Sequence, residues 1–382
     1  MENDMSIKND KGNLFYTKAK ELQKKSPKQI KEIRDLFLRA CNANCFKAIY
    51  QLALSFMNGP SSEKDLSKAI TFLKLGVEKN DPDCMYALSL YNLDGIGMKK
   101  NTPKAFVLAK NAAQHGSIEA ASLLAQFYEN GCETSEDIPA AIFWYKIAAK
   151  EGNAEAQLAV AELIEIQENT HTAESHHYLK LAASSGNSTA QLQLGFALYD
   201  GSSCNKDLGL ALMWYKKAAR QGNETAMFNI GQMYREGEAL NQSWKRAIYW
   251  YKKAACLGQK SAMHWLARIY TGKESHRSRW EIGLYWLRKA AHHGDPQSQC
   301  DLGDLYSDGF HVPKNKKIAF KWYKKAAENE ENYPYAAYIV CTCYKTGLGT
   351  RKNRQLFLYW LNKAVELGCL EAIEEQKCIN RE

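Results

Sequence analysis

The sequence predicts an all-α protein, a right-handed solenoid of about ten helical hairpins, and three observations carry that expectation. A phrase ending in an alanine pair and a glycine returns along the chain, mostly at steps of 36 residues. Four residues after most of those glycines, a second phrase sets small and apolar residues at helical spacing. Turn and cap residues punctuate both phrases.

The first phrase reads FWYKIAAKEGN ending at Asn153, MWYKKAARQGN at Asn223, YWYKKAACLGQ at Gln259, YWLRKAAHHGD at Asp295 and KWYKKAAENEE at Glu331. Weaker copies place the closing position at Asn44, Asn80, Gly116, Gly152, Gly186, Gly222, Gly258, Gly294, Glu330 and Gly368; one step is 34 residues and one is 38. This phrase is the second helix, B, of each hairpin. Trp144, Trp214, Trp250, Trp286, Trp322 and Trp360 share one position in it, beside pairs such as Ala148-Ala149 and Ala218-Ala219. Recurrence beside the alanines assigns these tryptophans to packing rather than to a ligand stripe.

Helix A opens on a small residue, Ala120, Ala156, Ala190, Ala226, Ala262 or Ser298, with Leu124, Val160, Leu194, Ile230, Leu266 or Leu302 four residues on. The next residue is small again: Ala125, Ala161, Gly195, Gly231, Ala267, Gly303. A small residue there admits a neighbouring helix while the aliphatic beside it fills the space between hairpins. The helix closes on an aromatic and a glycine, as in Tyr234 with Gly237 and Tyr306 with Gly309. Asp65, Asn101, Asp137, Asp207, Ser243, Asn315 and Asn353 then stand where helix B needs its N-cap, and Pro103 and Pro139 fall in first turns.

The pattern A-x3-L-[GA]-x2-Y-x2-G, loop, [KA]-A-x2-W-Y-x-K-A-A-x2-G resembles the Sel-one-like repeat (SLR) family, a relative of the tetratricopeptide repeat, over roughly residues 28–379. The resemblance implies an α/α superhelix with a concave inner face, used to hold protein partners in signalling, protein quality control and bacterial entry or trafficking. It organises the chain as an N-terminal tail and capping helix over 1–27, a repeat solenoid of nine to ten copies over 28–368, and a C-terminal capping helix and tail over 369–382. The repeat ending at Gly186 departs from the pattern: it is two residues short, with Ile164 for the aromatic and Gln167 for the loop glycine, so an altered twist or hinge is expected there. A two-residue insertion near Tyr333–Tyr335 is expected to bend the path between the last repeats.

Composition narrows the function classes. Charged residues at 24% and hydrophobic ones at 45% describe a folded chain with a large core. No stretch approaches ~18 consecutive apolar residues, and MENDMSIKNDKG carries no apolar signal segment, so a cytoplasmic protein is expected. Eleven cysteines at unmatched repeat positions read as reduced thiols. A net charge of +9 favours anionic partners without reaching the basicity of a nucleic-acid binder.

An enzyme is not expected. The loops GIGMKKN at Gly95 and GLGTRKN at Gly347 lack the G-K-[ST] of a phosphate cradle, and neither cofactor nor metal is indicated. His176-His177 and His292-His293 are adjacent pairs that share no helical face, while Cys41 with Cys45 and Cys341 with Cys343 lack a second ligand pair.

By analogy with tetratricopeptide arrays, helix-A positions two, six and nine residues after the small opening residue line the groove. Tyr50, Leu54, Met57, Tyr86, Leu90 and Leu93 give an apolar start, with burial under the N-terminal segment as the alternative, and Glu129, Glu162 and Glu165 an acidic middle. Phe196, Tyr199, Phe228, Gln232, Arg235, His264, Arg268 and Asp304 follow as the candidate partner-binding set, since aromatics beside arginines have the composition of hot spots. The reading is a non-enzymatic protein-interaction scaffold or adaptor. The alternative is a peripheral binder of anionic lipid or phosphoinositide using the basic pairs Lys216-Lys217, Lys252-Lys253, Arg288-Lys289 and Lys324-Lys325. A glutamate-rich end, Glu371, Glu374, Glu375 and Glu382, resembles the translocation signals of effectors of intracellular bacteria, which implies secretion into a host cell and a role in virulence; glutamates on a capping helix serve solubility equally.

Overall fold

A computed structural model describes residues 2–57, 65–202, 204–272, 279–329 and 333–379, with side chains from Asp10 onward. Glu330, Glu331 and Glu382, named above, lie outside the described residues. The described residues form twenty-one α-helices and no strand. The chain divides into two compact units, Met1–Ala190 and Gln191–Glu382.

The first unit runs through α1 (Glu2–Lys25), α2 (Ile30–Asn42), α3 (Lys47–Met57), α4 (Leu66–Glu78), α5 (Pro82–Asp94), α6 (Thr102–Gln114), α7 (Ile118–Glu129), α8 (Ile138–Lys150), α9 (Ala154–Glu168) and α10 (Ala173–Ser184). The start of α11 (Ser188–Asp200) completes it. The second holds the rest of α11, then α12 (Leu208–Arg220), α13 (Glu224–Glu236), α14 (Trp244–Cys256), α15 (Lys260–Tyr270), α16 (Trp280–His292), α17 (Pro296–Asp308), α18 (Lys316–Ala327), α19 (Pro334–Thr346), α20 (Arg354–Glu366) and α21 (Leu370–Ile379). Within each unit consecutive helices pair as hairpins and stack on the next hairpin, the solenoid architecture read from the repeat.

Hydrogen bonding explains where each helix starts. All seven N-caps expected from sequence accept the backbone N–H three residues on, among them Asp137 from Ala140, Asp207 from Leu210 and Asn315 from Ile318. The helix-A starts use the same device, which the sequence reading missed. Asp81, Asn153, Asn223 and Asp295, each directly after a closing position, cap α5, α9, α13 and α17. Asn80, at a closing position without glycine, takes the left-handed conformation at φ 57°, which asparagine tolerates better than most residues.

The core is built from the small residues. Ala148, Ala218, Ala254, Ala290 and Ala326 are fully buried, as are the helix-A openers Ala120, Ala156, Ala226 and Ala262. Tyr215, Tyr251 and Tyr323 of helix B each lie on the small residue of their own helix A. A Cβ on Gly195, Gly231 or Gly303 would stand 2.6, 2.7 and 2.4 Å from the rings of Tyr215, Tyr251 and Tyr323. Trp214, Trp286 and Trp360 are buried and Trp144, Trp250 and Trp322 half-buried. The ammonium groups of Lys217, Lys253, Lys289, Lys325 and Lys363 stand 3.8–5.3 Å from the tryptophan three residues before each. The second lysine of each basic pair thus roofs its repeat tryptophan.

In the departing repeat, α9 runs to Glu168 and ends on left-handed Asn169, and a capping box of Thr172 with Ser175 starts α10. Tyr50 and Met57 pack half-buried on the core around Leu88, while Tyr86, Leu90 and Leu93 pack around Ala105 and Phe127. Glu129 accepts the Tyr145 hydroxyl at 2.8 Å, and Glu165 accepts Ser175 at 3.0 Å and lies 2.8 Å from His171. At the last helix Glu375 pairs with Lys345, and Glu371 accepts the Cys369 thiol at 3.1 Å.

Candidate functional site

The candidate residues lie in the second unit, on α11, α13, α15 and α17. Their positions follow from the repeat: the buried stripe of each helix A anchors it on helix B, and residues two, six and nine places on fall beside that stripe.

Phe196, Tyr199, Phe228 and Gln232 come together. With Tyr215, Asn229, Met233 and Glu236 they line one cleft of about 180 Å³. Phe196 is 41% exposed and meets Tyr215 edge-on at 5.7 Å; Phe228 is half-buried against Tyr251 at the same centroid distance. Tyr199 donates to Glu238 at 2.6 Å, and that bond, with burial and nearby carboxylates, holds its phenol up at about 12. Gln232 accepts the hydroxyl of Tyr251. The Nδ2 of Asn229 is buried in the cleft wall with no hydrogen-bond acceptor among the described residues.

Arg235 and Arg268 are joined by a residue outside the sequence-derived set. Both guanidinium groups stack on Trp265, at 3.8 and 4.7 Å from its ring centroid, and Arg235 also pairs with Glu236. Trp265 sits three residues into helix A rather than two, six or nine, so the groove register passed over it; its signal was a large aromatic one turn before Arg268. His264 faces inward. It is 9% exposed, with Nδ1 2.9 Å from the Ser298 hydroxyl and 3.6 and 4.0 Å from carboxylate oxygens of Asp295 and Asp301, so it joins α15 to α17 beneath the surface.

Arg268 and Asp304 line a second, larger cavity of about 310 Å³ with Ala267, Leu287, Trp280, Asp301, Asp308 and Phe310. Asp304 accepts the Tyr323 hydroxyl at 2.7 Å. That tyrosine is raised well above the ordinary phenol range by burial and then by the Asp304 carboxylate.

The chemistry of the remaining groups is quiet. Burial pushes the Cys341 and Cys343 thiols up to about 12, far from nucleophilic character at neutral pH. Among the described residues no three His, Cys, Asp or Glu side chains are placed to hold a metal ion, and no helix is long and apolar enough to cross a membrane.

A stack of two-helix repeats with an aromatic and arginine-bearing helix-A face defines a helical repeat protein. The Sel1 repeat model matches residues 46–81, 82–117, 118–153, 171–187, 188–223, 225–259, 281–295, 296–330 and 334–369, well over half of the chain, and the chain belongs to the Sel1 repeat family. Two matches are partial, omitting α9 and α15; the second of these helices carries His264, Trp265 and Arg268. Among solved structures the chain is similar to c5321, a protective antigen present in uropathogenic Escherichia coli strains that displays an SLR fold. The two share 24% identity over 96% of this chain and 78% of that one, with a TM-score of 0.75. A Sel1 repeat protein from Oxalobacter formigenes is similar at 24% identity over 86% of this chain and 93% of that one, with a TM-score of 0.68. These likenesses show the fold. No curated protein matches the chain.

Proposed function

We propose that this Sel1 repeat protein is a non-enzymatic scaffold that captures a protein partner on the helix-A face of its second unit. The observation that carries the reading is the row formed by Phe196, Phe228 and the Arg235–Trp265–Arg268 stack. Large aromatic surface is open in one cleft, and two guanidinium groups are preorganised on a shared indole. Such rigid aromatic and arginine anchors supply most of the energy at protein interfaces, and stacking lowers the ordering cost of the arginines. Part of the candidate polar set serves the fold instead, since Gln232 and Asp304 hold repeat tyrosines and His264 joins two helices. Action in the cytoplasm, and delivery into a host cell, are finer readings. Delivery rests on terminal glutamates, of which Glu371 and Glu375 already have partners within the fold.

One observation favours lipid as a second ligand. Tyr249, Tyr285 and Tyr359 are 53%, 57% and 58% exposed, each directly before a repeat tryptophan and four residues before a roofing lysine, an aromatic and basic composition suited to a headgroup layer.

Both readings are tested by one cross-linked capture from lysate, with a parallel flotation on phosphatidylserine vesicles. The Phe196→Ala, Phe228→Ala double variant is expected to lose its captured protein while keeping its helical content. Capture unchanged by the double variant would overturn the docking face. Vesicle association that falls steeply as salt rises, and is lost in Tyr249→Ser, Tyr285→Ser, would support the second reading.

A further inference from the structure

The cavity beside Arg268 opens at a position that carries leucine where four other repeats carry a buried tyrosine. In α8, α12, α14 and α18 the residue after the repeat tryptophan is a buried tyrosine: Tyr145, Tyr215, Tyr251 and Tyr323. The hydroxyls of Tyr145, Tyr251 and Tyr323 emerge at helix A of the same hairpin, on Glu129, Gln232 and Asp304. In α16 that position is Leu287, one of the residues lining the 310 Å³ cavity together with Ala267. A branched aliphatic side chain reaches less far than a phenol; α20 also has a leucine here, Leu361, 1% exposed, but its helix-A small residue is Cys341, whereas Leu287 is matched with the smaller Ala267 and both line the open space.

What surrounds that space is selective. Among the described residues Asp301, Asp304 and Asp308 line it against one guanidinium, that of Arg268, so this part of the wall carries an excess of negative charge on a chain whose net charge is +9. The field reaches neighbouring groups: after burial, Asp304, Asp301 and Asp295 in turn raise the Cys300 thiol above its ordinary range. Aromatic surface closes one side, where Trp280 meets Phe310 edge-on at 5.0 Å and stacks on His311 at 4.0 Å. Phe310 remains 53% exposed. A half-enclosed site with carboxylates and aromatic rings suits an organic cation, because the carboxylates match its charge and the rings its weakly hydrated faces. Its volume stands at the low end of the ~300–1,000 Å³ of small-ligand sites, enough for one long side chain and too small for a helix. Arg268 belongs both to this wall and to the Trp265 stack, so the cavity is continuous with the docking face.

We propose that this cavity takes the lysine or arginine side chain of a peptide segment in the captured partner. The proposal deepens the scaffold reading and rests on it for the source of that side chain, while the chemistry of the cavity is tested independently.

The full chain labelled with 5-fluorotryptophan reports occupancy through the fluorine resonance of Trp280, assigned from Trp280→Phe. The probes are acetyl-Gly-Arg-Gly-amide, acetyl-Gly-Lys-Gly-amide and the uncharged norleucine analogue. The cationic peptides are expected to shift that resonance saturably, with norleucine about tenfold weaker or more. Leu287→Tyr introduces the tyrosine of four other repeats and fills the cavity; Ala125 and Tyr145, which hold the positions of Ala267 and Leu287 in α7 and α8, are buried in one core cluster, so this pairing fits the fold. This variant is expected to abolish the shift without lowering the melting temperature. Asp308→Asn, at the exposed rim, is expected to weaken the cationic probes about threefold and leave norleucine unchanged. Equal response to norleucine, or full cationic binding by a folded Leu287→Tyr or by Asp308→Asn, would overturn the proposal. The two readings fail separately, because Phe196→Ala, Phe228→Ala removes partner capture through a different cleft and leaves probe binding intact.

Discussion

Gly303 and Tyr323 show how closely one residue decides another. The tyrosine is 3% exposed, its hydroxyl is held by Asp304, and a methyl group on Gly303 would lie 2.4 Å from its ring. Gly303→Ala gains roughly 1 kcal/mol of helix propensity. The buried ring, tied by its hydroxyl to Asp304, is seated against the bare glycine, and overpacking of this kind costs about 1–3 kcal/mol. The difference is a net loss of up to about 2 kcal/mol, expected in urea denaturation. Gly209→Ala is the control. Its nearest obstacle is the Asp207 carboxylate at 3.3 Å on an exposed turn, and that change is expected to stabilise by up to about 1 kcal/mol. Equal effects at the two glycines would mean that the tyrosine contact does not set the repeat. The same contact accounts for what was and was not legible in the sequence. Small residues at 195, 231 and 303 announced a close neighbour, but only coordinates show that the neighbour is the tyrosine of the same hairpin and that its hydroxyl occupies Gln232 or Asp304.

At the scale of helices, the repeat could be read almost completely because it is written in local chemistry. Caps are contacts between residues three apart, so Asp137, Asp207 and Asn315 marked their helix starts without knowledge of the fold. The proposed docking face was less legible, since the side of helix A that stays open depends on how neighbouring hairpins pack. The assumed register picked Phe196 and Phe228, which line one cleft, placed the buried His264 on the surface and passed over Trp265, which stacks with Arg235. Leu287 and Leu361 both replace the tyrosine of the WYKKAA phrases, and only the structure shows that the first of them lines an open cavity while the second is packed in the core. The α16 start departs too. Arg279 occupies its N-cap at φ −130°, with no side-chain bond to the helix, where the equivalent residues of α8, α12, α14, α18 and α20 are Asp, Ser or Asn. Arg279→Asp supplies the missing acceptor and a negative charge at the helix N-terminus, so a gain of about 1 kcal/mol is expected. A variant no more stable than wild type in the same denaturation assay would show that this end is already satisfied.

For the whole molecule, a chain whose helices contact chiefly the next helix in sequence stores its stability in neighbouring pairs rather than in one central core. Perturbation of one repeat should then spread only as far as its interfaces reach. Gly303→Ala loosens α17 against α18, and α16 and α19 are the helices packed on that hairpin. Native-state hydrogen exchange at subdenaturing urea is expected to rise about tenfold across α16–α19, the factor that corresponds to ~1.4 kcal/mol, and to stay at the wild-type rate in α5–α8 of the first unit. Locality of this kind suits a scaffold, because the proposed docking face can exchange residues such as Leu287 for tyrosine without disturbing distant hairpins. Acceleration of equal size in α5–α8 would show instead that the chain opens as one cooperative body, and substitutions in the face would then carry a stability cost throughout the chain.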